Sequence, residues 1–168
     1  MPTPRTDLGA AVVGNRIYVM GGQDCVSPTC GKTLNTVEIY DIGRNEWLTG
    51  SPMPMAMAGF ATAVVRGKIY LIGGYERTGV FTTQVDGKRS IWEYNPANDL
   101  WQARGALPAG RIAPIASNCG DHLIISGGLN DQTQLLMRRD AWSFSNRAVS
   151  TFTFANSLLA SSARGWCG

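Results

Sequence analysis

Long apolar runs, histidines and concentrated charge are all scarce in this chain. No apolar run approaches the roughly 20 residues that a membrane helix needs, so we expect no membrane partner. The 15 Lys and Arg residues are scattered and the net charge is only +3, without the basic patch typical of nucleic-acid binding. The N-terminus lacks a basic region followed by an apolar stretch and a cleavage site, so we see no signal peptide. These absences predict a globular protein of the cytoplasm.

Groups that bind metals or catalyse reactions are equally few. His122 is the only histidine, and the cysteines have the wrong spacing to form a zinc site with it. In the repeat described below it falls in an exposed turn. The chain has neither a P-loop nor a Gly-x-Ser-x-Gly elbow. We therefore predict no catalytic residue, no metal and no cofactor.

The four cysteines are too few and too irregular for a disulfide scaffold. Cys25 and Cys30 share the loop "CVSPTC", where either a local disulfide or two free thiols can be drawn. We favour free thiols, because no other feature suggests an oxidising compartment.

What the chain does contain is an internal repeat. "IYVMGG" at residues 17–22 returns as "IYLIGG" at 69–74 and as "LIISGG" at 123–128, 52 and then 54 residues later. The glycine pairs are Gly21, Gly22, Gly73, Gly74, Gly127 and Gly128. A strand that ends in two glycines can take backbone angles closed to other residues, and it lets another backbone approach closely.

Each copy predicts four short strands. In the first copy these are 8–13, 17–20, 36–40 and a strand that opens at Trp47. No ten-residue stretch has a helical apolar period, so the fold class is all-β. Tyr40 and Tyr94 are each followed seven residues later by Trp47 and Trp101. Large aromatic side chains at a fixed place in each copy suit a core made between neighbouring sheets.

A glycine pair, then Tyr, then Trp, at a period of roughly 50 residues resembles the kelch repeat over about residues 1–147. The resemblance implies a partial kelch-type β-propeller of about three four-stranded antiparallel blades, the last one degenerate. Blade 1 would span about 1–52, blade 2 about 53–106 and blade 3 about 107–154, with an irregular tail at 155–168. Because propellers usually close with 4–8 blades, we expect a fragment or truncated form of a longer propeller, or a protomer that completes a ring with partners.

Two arginines are candidate partner-binding residues. Arg5 and Arg111 each lie 17 residues before the second glycine of their copy, whereas Met57 occupies this slot in the second copy. By the resemblance, the slot opens on the rim of the central channel, where an arginine fork suits acidic peptides. The alternative is that each arginine pairs with backbone carbonyls or with an acid of a neighbouring blade.

The connections between the second and third strands are the other candidate surface, since they differ while the scaffold repeats. Tyr75, Arg77 and Phe81 are residue types that dominate interface hot spots. The alternative is a solvated loop without a partner.

The resemblance implies a non-catalytic protein–protein interaction module. "NTVEIYDIGRNEW" is similar to repeats of kelch-like adaptors that recruit substrates to a ubiquitin ligase, and actin-binding kelch proteins share the pattern. We expect a protein or peptide partner on the loop face, no nucleic acid, and self-association through exposed terminal blades. The alternative is a fragment of a kelch-type sugar-processing enzyme such as a sialic-acid epimerase, which would need a complete channel with acid–base groups.

Overall fold

The described part of the chain folds into β-strands joined by turns and loops. A computed structural model describes residues 1–26, 29–78, 86–130, 140–145 and 148–153, and these contain fifteen strands and no helix. The described residues thus include no helix with the length and hydrophobicity required to cross a bilayer. The predicted all-β class is confirmed.

Three four-stranded antiparallel sheets follow one another along the chain, and we call them blades 1, 2 and 3. Blade 1 contains β2 (Gly9–Val13), β3 (Arg16–Met20), β6 (Val37–Asp41) and β7 (Glu46–Gly50). Blade 2 contains β8 (Ala61–Val65), β9 (Lys68–Ile72), β10 (Ser90–Asn95) and β11 (Leu100–Ala106). Blade 3 contains β12 (Ile115–Cys119), β13 (His122–Ser126), β14 (Asp140–Ser145) and β15 (Ala148–Thr153). The four predicted strands of the first copy are confirmed, and the divergent third copy has the same strand order.

A smaller sheet, which the sequence did not predict, lies at the end of blade 1. It contains β1 (Arg5–Thr6), β4 (Gln23–Val26) and β5 (Thr29–Thr33), in the order β1-β4-β5. Its backbone register places Cys25 opposite Cys30. The side chains of both cysteines lie outside the described part, so their free thiols stay a prediction.

The first two glycine pairs stand where one blade meets the next. All six glycines have positive φ, between 56° and 93°. A Cβ atom on Gly21 would lie 2.5 Å from the carbonyl oxygen of Met57, and one on Gly73 would lie 2.6 Å from that of Arg111. At these two positions any other residue would collide with the backbone that enters the following blade, which confirms the predicted close approach of another backbone.

Apolar side chains fill the two seams between blades. The seam between blades 1 and 2 buries Ala11, Tyr18, Met20, Val37, Ile39, Met53, Met57, Phe60, Ile69, Leu71 and Tyr94. The seam between blades 2 and 3 buries Ala61, Ala63, Val65, Tyr70, Ile72, Ile91, Leu107, Leu123 and Ile125.

The aromatic pair of blade 2 belongs to the first seam, as predicted, whereas Tyr40 and Trp47 are not among the residues of either seam. The ring of Tyr94 meets that of Tyr18 of blade 1 edge-on at 5.8 Å and lies 4.9 Å from that of Trp101. The indole Nε1 of Trp101 donates to the carbonyl oxygen of Ser51 at 3.0 Å, which ties blade 2 to the chain leaving blade 1. Tyr40 and Trp47 form the equivalent pair in blade 1, with ring centroids 5.2 Å apart.

Candidate interaction surface

The blades present two different ends. One end, which we call the connection face, is formed by the described parts of segments 21–36, 51–60, 73–89 and 107–114. The opposite end, the turn face, is formed by the short turns 14–15, 42–45, 66–67, 96–99 and 120–121. Four of the five predicted partner-binding residues fall in or beside the segments of the connection face, namely Arg5, Tyr75, Arg77 and Arg111.

Arg5 lies inside the protein, and its side chain is fully buried. Its Nη2 lies 2.9 Å from Oε2 of Glu38, and its Nη1 donates to the carbonyl oxygens of Gly21 at 3.0 Å and Thr36 at 3.2 Å. Oε1 of Glu38 accepts a hydrogen bond from the hydroxyl of Thr3 at 2.6 Å. The guanidinium therefore joins the N-terminal segment to the glycine pair of its own blade, which is the structural alternative.

Arg111 is also buried, with 1% of its surface exposed. Its Nη1 donates to the carbonyl oxygen of Gly110 and to Oδ1 of Asn130, both at 2.8 Å. These contacts again match the structural alternative. A partner that binds either arginine has to displace these internal contacts first.

Tyr75 lies between two blades and is only 3% exposed. Its hydroxyl donates to Oδ2 of Asp7 at 2.9 Å, and Nε2 of Gln23 donates to both Tyr75 and Asp7. Burial and the hydrogen bond to Asp7 raise the pKa of Tyr75 above its ordinary value. The residue acts as a latch between blades 1 and 2 and presents little surface to a partner.

The sequence missed this latch, although it contained a signal for it. Gln23, Tyr75 and Leu129 each follow a glycine pair directly. In blades 2 and 3 this position forms an isolated bridge, Ala58 with Tyr75 and Ile112 with Leu129. The corresponding pair in blade 1 is Thr6 with Gln23. A position that pairs in all three copies indicates a structural role.

Arg77 is half-buried and its backbone joins the two connections. Its amide donates to Oγ1 of Thr33 at 3.2 Å, and its carbonyl oxygen accepts from the amide of Thr33 at 2.9 Å. Phe81 lies outside the described residues, so its role as a contact stays a prediction.

The described part of the connection face exposes charged side chains of both signs. Lys32, Glu76 and Asp86 are exposed, and Nζ of Lys88 lies 3.0 Å from Oε2 of Glu76. These side chains, which the sequence did not single out, are accessible to a partner. Their mixed charge suits a polar protein or peptide surface.

A buried carboxylate in blade 2 resembles a catalytic acid only superficially. Glu93 is 2% exposed and accepts hydrogen bonds from Lys68 at 2.7 Å and from Tyr70 and Arg104, both at 2.6 Å. Burial alone would raise the pKa of Glu93, but the bonds from Arg104, Lys68 and Tyr70 outweigh it and hold the pKa below its usual value. A carboxylate that is ionised and fully engaged in this way joins β9, β10 and β11 within blade 2.

The described residues bring together no arrangement of catalytic or metal-binding groups. No cluster of three His, Cys, Asp or Glu side chains that would suit a metal is found among them. His122 is exposed at the start of β13, beside the predicted turn, with its Nδ1 3.4 Å from the hydroxyl of Ser143. Cys119 is disulfide-bonded and therefore is not a nucleophile.

Comparison with known proteins agrees with the architecture. A model of the Kelch motif matches residues 4–54 and 56–104, which is more than half of the chain. "Kelch-like protein terF" of Aspergillus terreus is 36% identical over 131 residues, covering 75% of this chain and 28% of that protein. "Kelch repeat and BTB domain-containing protein 1" of Camelpox virus is 30% identical over 150 residues, covering 85% of this chain and 25% of that protein. The chain thus spans about a quarter of the length of these relatives. It has the repeat, the blades and the sequence match together, and it belongs to the kelch-repeat family.

Proposed function

We propose that this chain is a protein-interaction module that binds a protein or peptide through its connection face. The observation that carries the proposal is the contrast between the two parts of each blade. The strands and glycine pairs repeat with the same backbone contacts, whereas the connections differ in sequence and expose charges of both signs. A rigid frame with divergent loops is the arrangement on which binding residues are usually found.

The finer role that we propose is recruitment of a substrate to a ubiquitin ligase, with cytoskeletal binding as the second form of the same activity. The name of the Camelpox virus relative includes a BTB domain alongside the kelch repeat, which supports an adaptor role by analogy only. Co-sedimentation of the purified chain with actin filaments tests the cytoskeletal form. Sedimentation with filaments above the background level would support cytoskeletal binding. A chain that stays in the supernatant would refute it.

The binding surface is tested by selecting peptides from a displayed library against the immobilised chain. We expect enriched peptides to lose affinity for variants of the connection face, Lys32→Glu and Glu76→Lys. The matched control is Arg44→Glu, because Arg44 is equally charged and 70% exposed but lies on the turn face. If the control weakens binding as much as the two variants do, or if no peptide is enriched, the proposed surface is wrong.

A sugar-processing activity receives no support from the described residues. Glu93, the most deeply buried carboxylate of blade 2, has all of its described contacts inside the protein. Incubation with sialic acid, followed by NMR of the exchange at the epimerised carbon, tests this alternative directly. Exchange above the uncatalysed rate would favour the enzyme over the interaction module.

The cytoplasmic location also stays a proposal. The disulfide at Cys119 is of the kind that oxidising compartments preserve. Thiol labelling of the protein extracted from its cells would test the location. Labelling of Cys119 without prior reduction would agree with the cytoplasm, and protection of Cys119 would argue against it.

A further inference from the structure

Ser51 and Asp99 join blades 1 and 2 at the point where the chain leaves blade 1. Ser51 directly follows β7, an edge strand of blade 1, and Asp99 directly precedes β11, an edge strand of blade 2. The amide of Ser51 donates to Oδ1 of Asp99 at 2.9 Å and to Oδ2 at 3.1 Å, and its hydroxyl donates to Oδ2 at 2.9 Å. The carboxylate of Asp99 is thus the acceptor for both donors of Ser51.

Asp99 connects this contact to the buried part of the first seam. Its Oδ1 also accepts a hydrogen bond from the hydroxyl of Tyr94 at 2.5 Å, and Tyr94 is only 1% exposed. The carbonyl oxygen of Ser51 accepts from Nε1 of Trp101 at 3.0 Å. Burial alone would raise the pKa of Asp99, but the bonds from Tyr94 and Ser51 outweigh it and hold the pKa below its ordinary value. Asp99 is therefore negatively charged at neutral pH.

The hydroxyl of Ser51 lies at the surface and directly before a proline. Ser51 is partly exposed, and Pro52 and Asp99 are exposed. Proline disfavours the helical conformation for the residue before it, which favours an extended backbone at Ser51. Protein kinases bind the residue that they modify in an extended segment, and one large class of them requires proline at the next position. Ser51 and Pro52 supply this pair of residues on an accessible segment.

The repeat itself does not require a serine at this position. Residues 51–52 correspond to residues 105–106 of blade 2, which are glycine and alanine. Each pair begins six residues before the slot of Met57 and Arg111. The second seam is therefore built without a Ser-Pro pair, so the pair is a specific feature of the first seam.

We propose that Ser51 is a phosphorylation site for a proline-directed protein kinase, and that its phosphate weakens the contact between blades 1 and 2. The γ-phosphoryl group of a nucleoside triphosphate is transferred to Oγ of Ser51. The bond from the γ-phosphorus to its bridging oxygen breaks, a bond from phosphorus to Oγ forms, the hydroxyl proton passes to solvent, and a nucleoside diphosphate leaves.

Phosphorylation changes Ser51 from a hydrogen-bond donor into an anion. Oγ loses the proton that it donates to Asp99, and the phosphate brings a charge of about −1.5 to −2. This charge lies beside the carboxylate, because Oγ of Ser51 and Oδ2 of Asp99 are 2.9 Å apart. Repulsion between the two anions moves Ser51 away from Asp99, and the bonds from Tyr94 and Trp101 to these two residues lose their geometry.

Mapping of the phosphate on the intact, folded chain tests the site. The chain is incubated with ATP and either a cyclin-dependent or a mitogen-activated protein kinase, both of which are proline-directed. Trypsin then releases residues 45–66, in which Ser51 is the only serine or threonine before a proline. Thr3 and Ser27 also precede prolines, but they fall in other fragments. We expect phosphate on Ser51, and the proposal is overturned if neither kinase places it there.

Thermal unfolding of the phosphorylated and unmodified chains tests the consequence. Loss of the charged hydrogen bonds from Ser51 should lower the melting temperature by at least about 3 °C in a chain of this size. The control for phosphate at other positions is Ser51→Ala, treated with the kinase in the same way, whose melting temperature should not change on treatment. A melting temperature that stays constant in the original chain, or that falls equally in the control, would refute the weakened contact.

The variant Asp99→Asn tests whether the phosphate acts through the carboxylate. We expect this variant to fold, because Asn45 is the counterpart of Asp99 in blade 1, with the same φ of 55°, and accepts a hydrogen bond from Tyr40 as Asp99 does from Tyr94. Phosphorylation should lower its melting temperature by less than about half as much as in the original chain, because the amide is uncharged. An equal loss in both chains would mean that repulsion from Asp99 is not the cause, and the proposed mechanism is then wrong.

Discussion

The buried ion pair between Arg5 and Glu38 leads to a stability prediction that also decides what Arg5 does. The side chains of Arg5 and Glu38 are 0% and 7% exposed. Replacing Arg5 by Met leaves the carboxylate of Glu38 in the interior without its cation, with the hydroxyl of Thr3 as its described donor. The carbonyl oxygen of Gly21 loses the donor that Arg5 supplies.

The magnitude follows from the burial of the pair. Removing one partner of a buried ion pair costs about 3–5 kcal/mol, whereas replacing both partners by apolar residues is often neutral. Blade 2 already has apolar residues at the two positions, because Met57 and Trp92 are the counterparts of Arg5 and Glu38. We therefore expect Arg5→Met to lose about 3–5 kcal/mol of unfolding free energy. The double variant Arg5→Met/Glu38→Leu should return most of that loss.

Urea unfolding followed by tryptophan fluorescence measures these changes, at one protein concentration for all variants. Arg44→Met is the control, because the Arg44–Glu46 pair is 70% and 46% exposed and exposed pairs contribute little. If Arg5→Met costs no more than the control, the buried pair is not structural and partner binding by Arg5 regains its support. If the double variant is no more stable than the single one, the loss does not come from an unpaired Glu38.

Three further predictions concern a glycine substitution, stability at acid pH and stability at alkaline pH. Gly73→Ala should lower the melting temperature much more than Gly120→Ala, because only at Gly73 does a Cβ atom meet backbone, at 2.6 Å. Because φ is positive at both positions, both variants strain the backbone, and the difference between them measures the collision of the Cβ atom at residue 73. Because the pKa of Glu93 is lowered in the folded protein, its contribution to stability is present above the ordinary value of 4.5 and is lost as the pH falls through the folded pKa. Glu93→Gln should therefore flatten the acid limb of stability against pH, and an unchanged limb would contradict the assignment. Burial and the bond to Glu93 raise the pKa of Tyr70 from 10 to about 12, so its contribution is complete below pH 10 and is lost as the pH rises towards 12. Tyr70→Phe should reduce the alkaline loss and remove a late step from the absorbance titration of tyrosine, and a titration that keeps every step would disprove the shift.

The sequence predicted the blades because glycine spacing and strand alternation are local signals that repeat. It did not predict the bulge in β11. There the pairing of β11 with β10 shifts between Ile91 and Trp92, and Arg104 of β11 reaches Glu93 of β10. Trp47 and Trp101 are each followed by proline seven residues later, so the extra residue of the β11 bulge does not change the spacing from tryptophan to proline. When a nearby segment is one residue shorter, such an insertion does not alter the sequence spacing and can be seen only in the pairing of the strands.

The candidate site was harder to predict than the fold, for a related reason. Tyr75 lies in a connection and is a common hot-spot residue, which favours a partner contact, but its position directly after the glycine pair makes it part of the blade. Arg5 and Arg111 were correctly recognised as equivalent positions, yet equivalence in a repeat indicates a shared contact and does not reveal whether that contact is internal. Burial, which the sequence alone does not reveal, made the difference in all three cases.

Backbone hydrogen bonds between blades explain why equivalent positions of the repeat can hold chemically different side chains. One slot holds Arg5, Met57 and Arg111, and the carbonyl oxygens of Met57 and Arg111 accept the same glycine amide bond. Because the backbone sets the register, this slot tolerates an ion pair in one copy and apolar packing in another. Selection on function can then act on the connections without disturbing the blade. The surfaces that distinguish this protein from other kelch proteins should therefore lie in those regions, where the repeat provides no constraint.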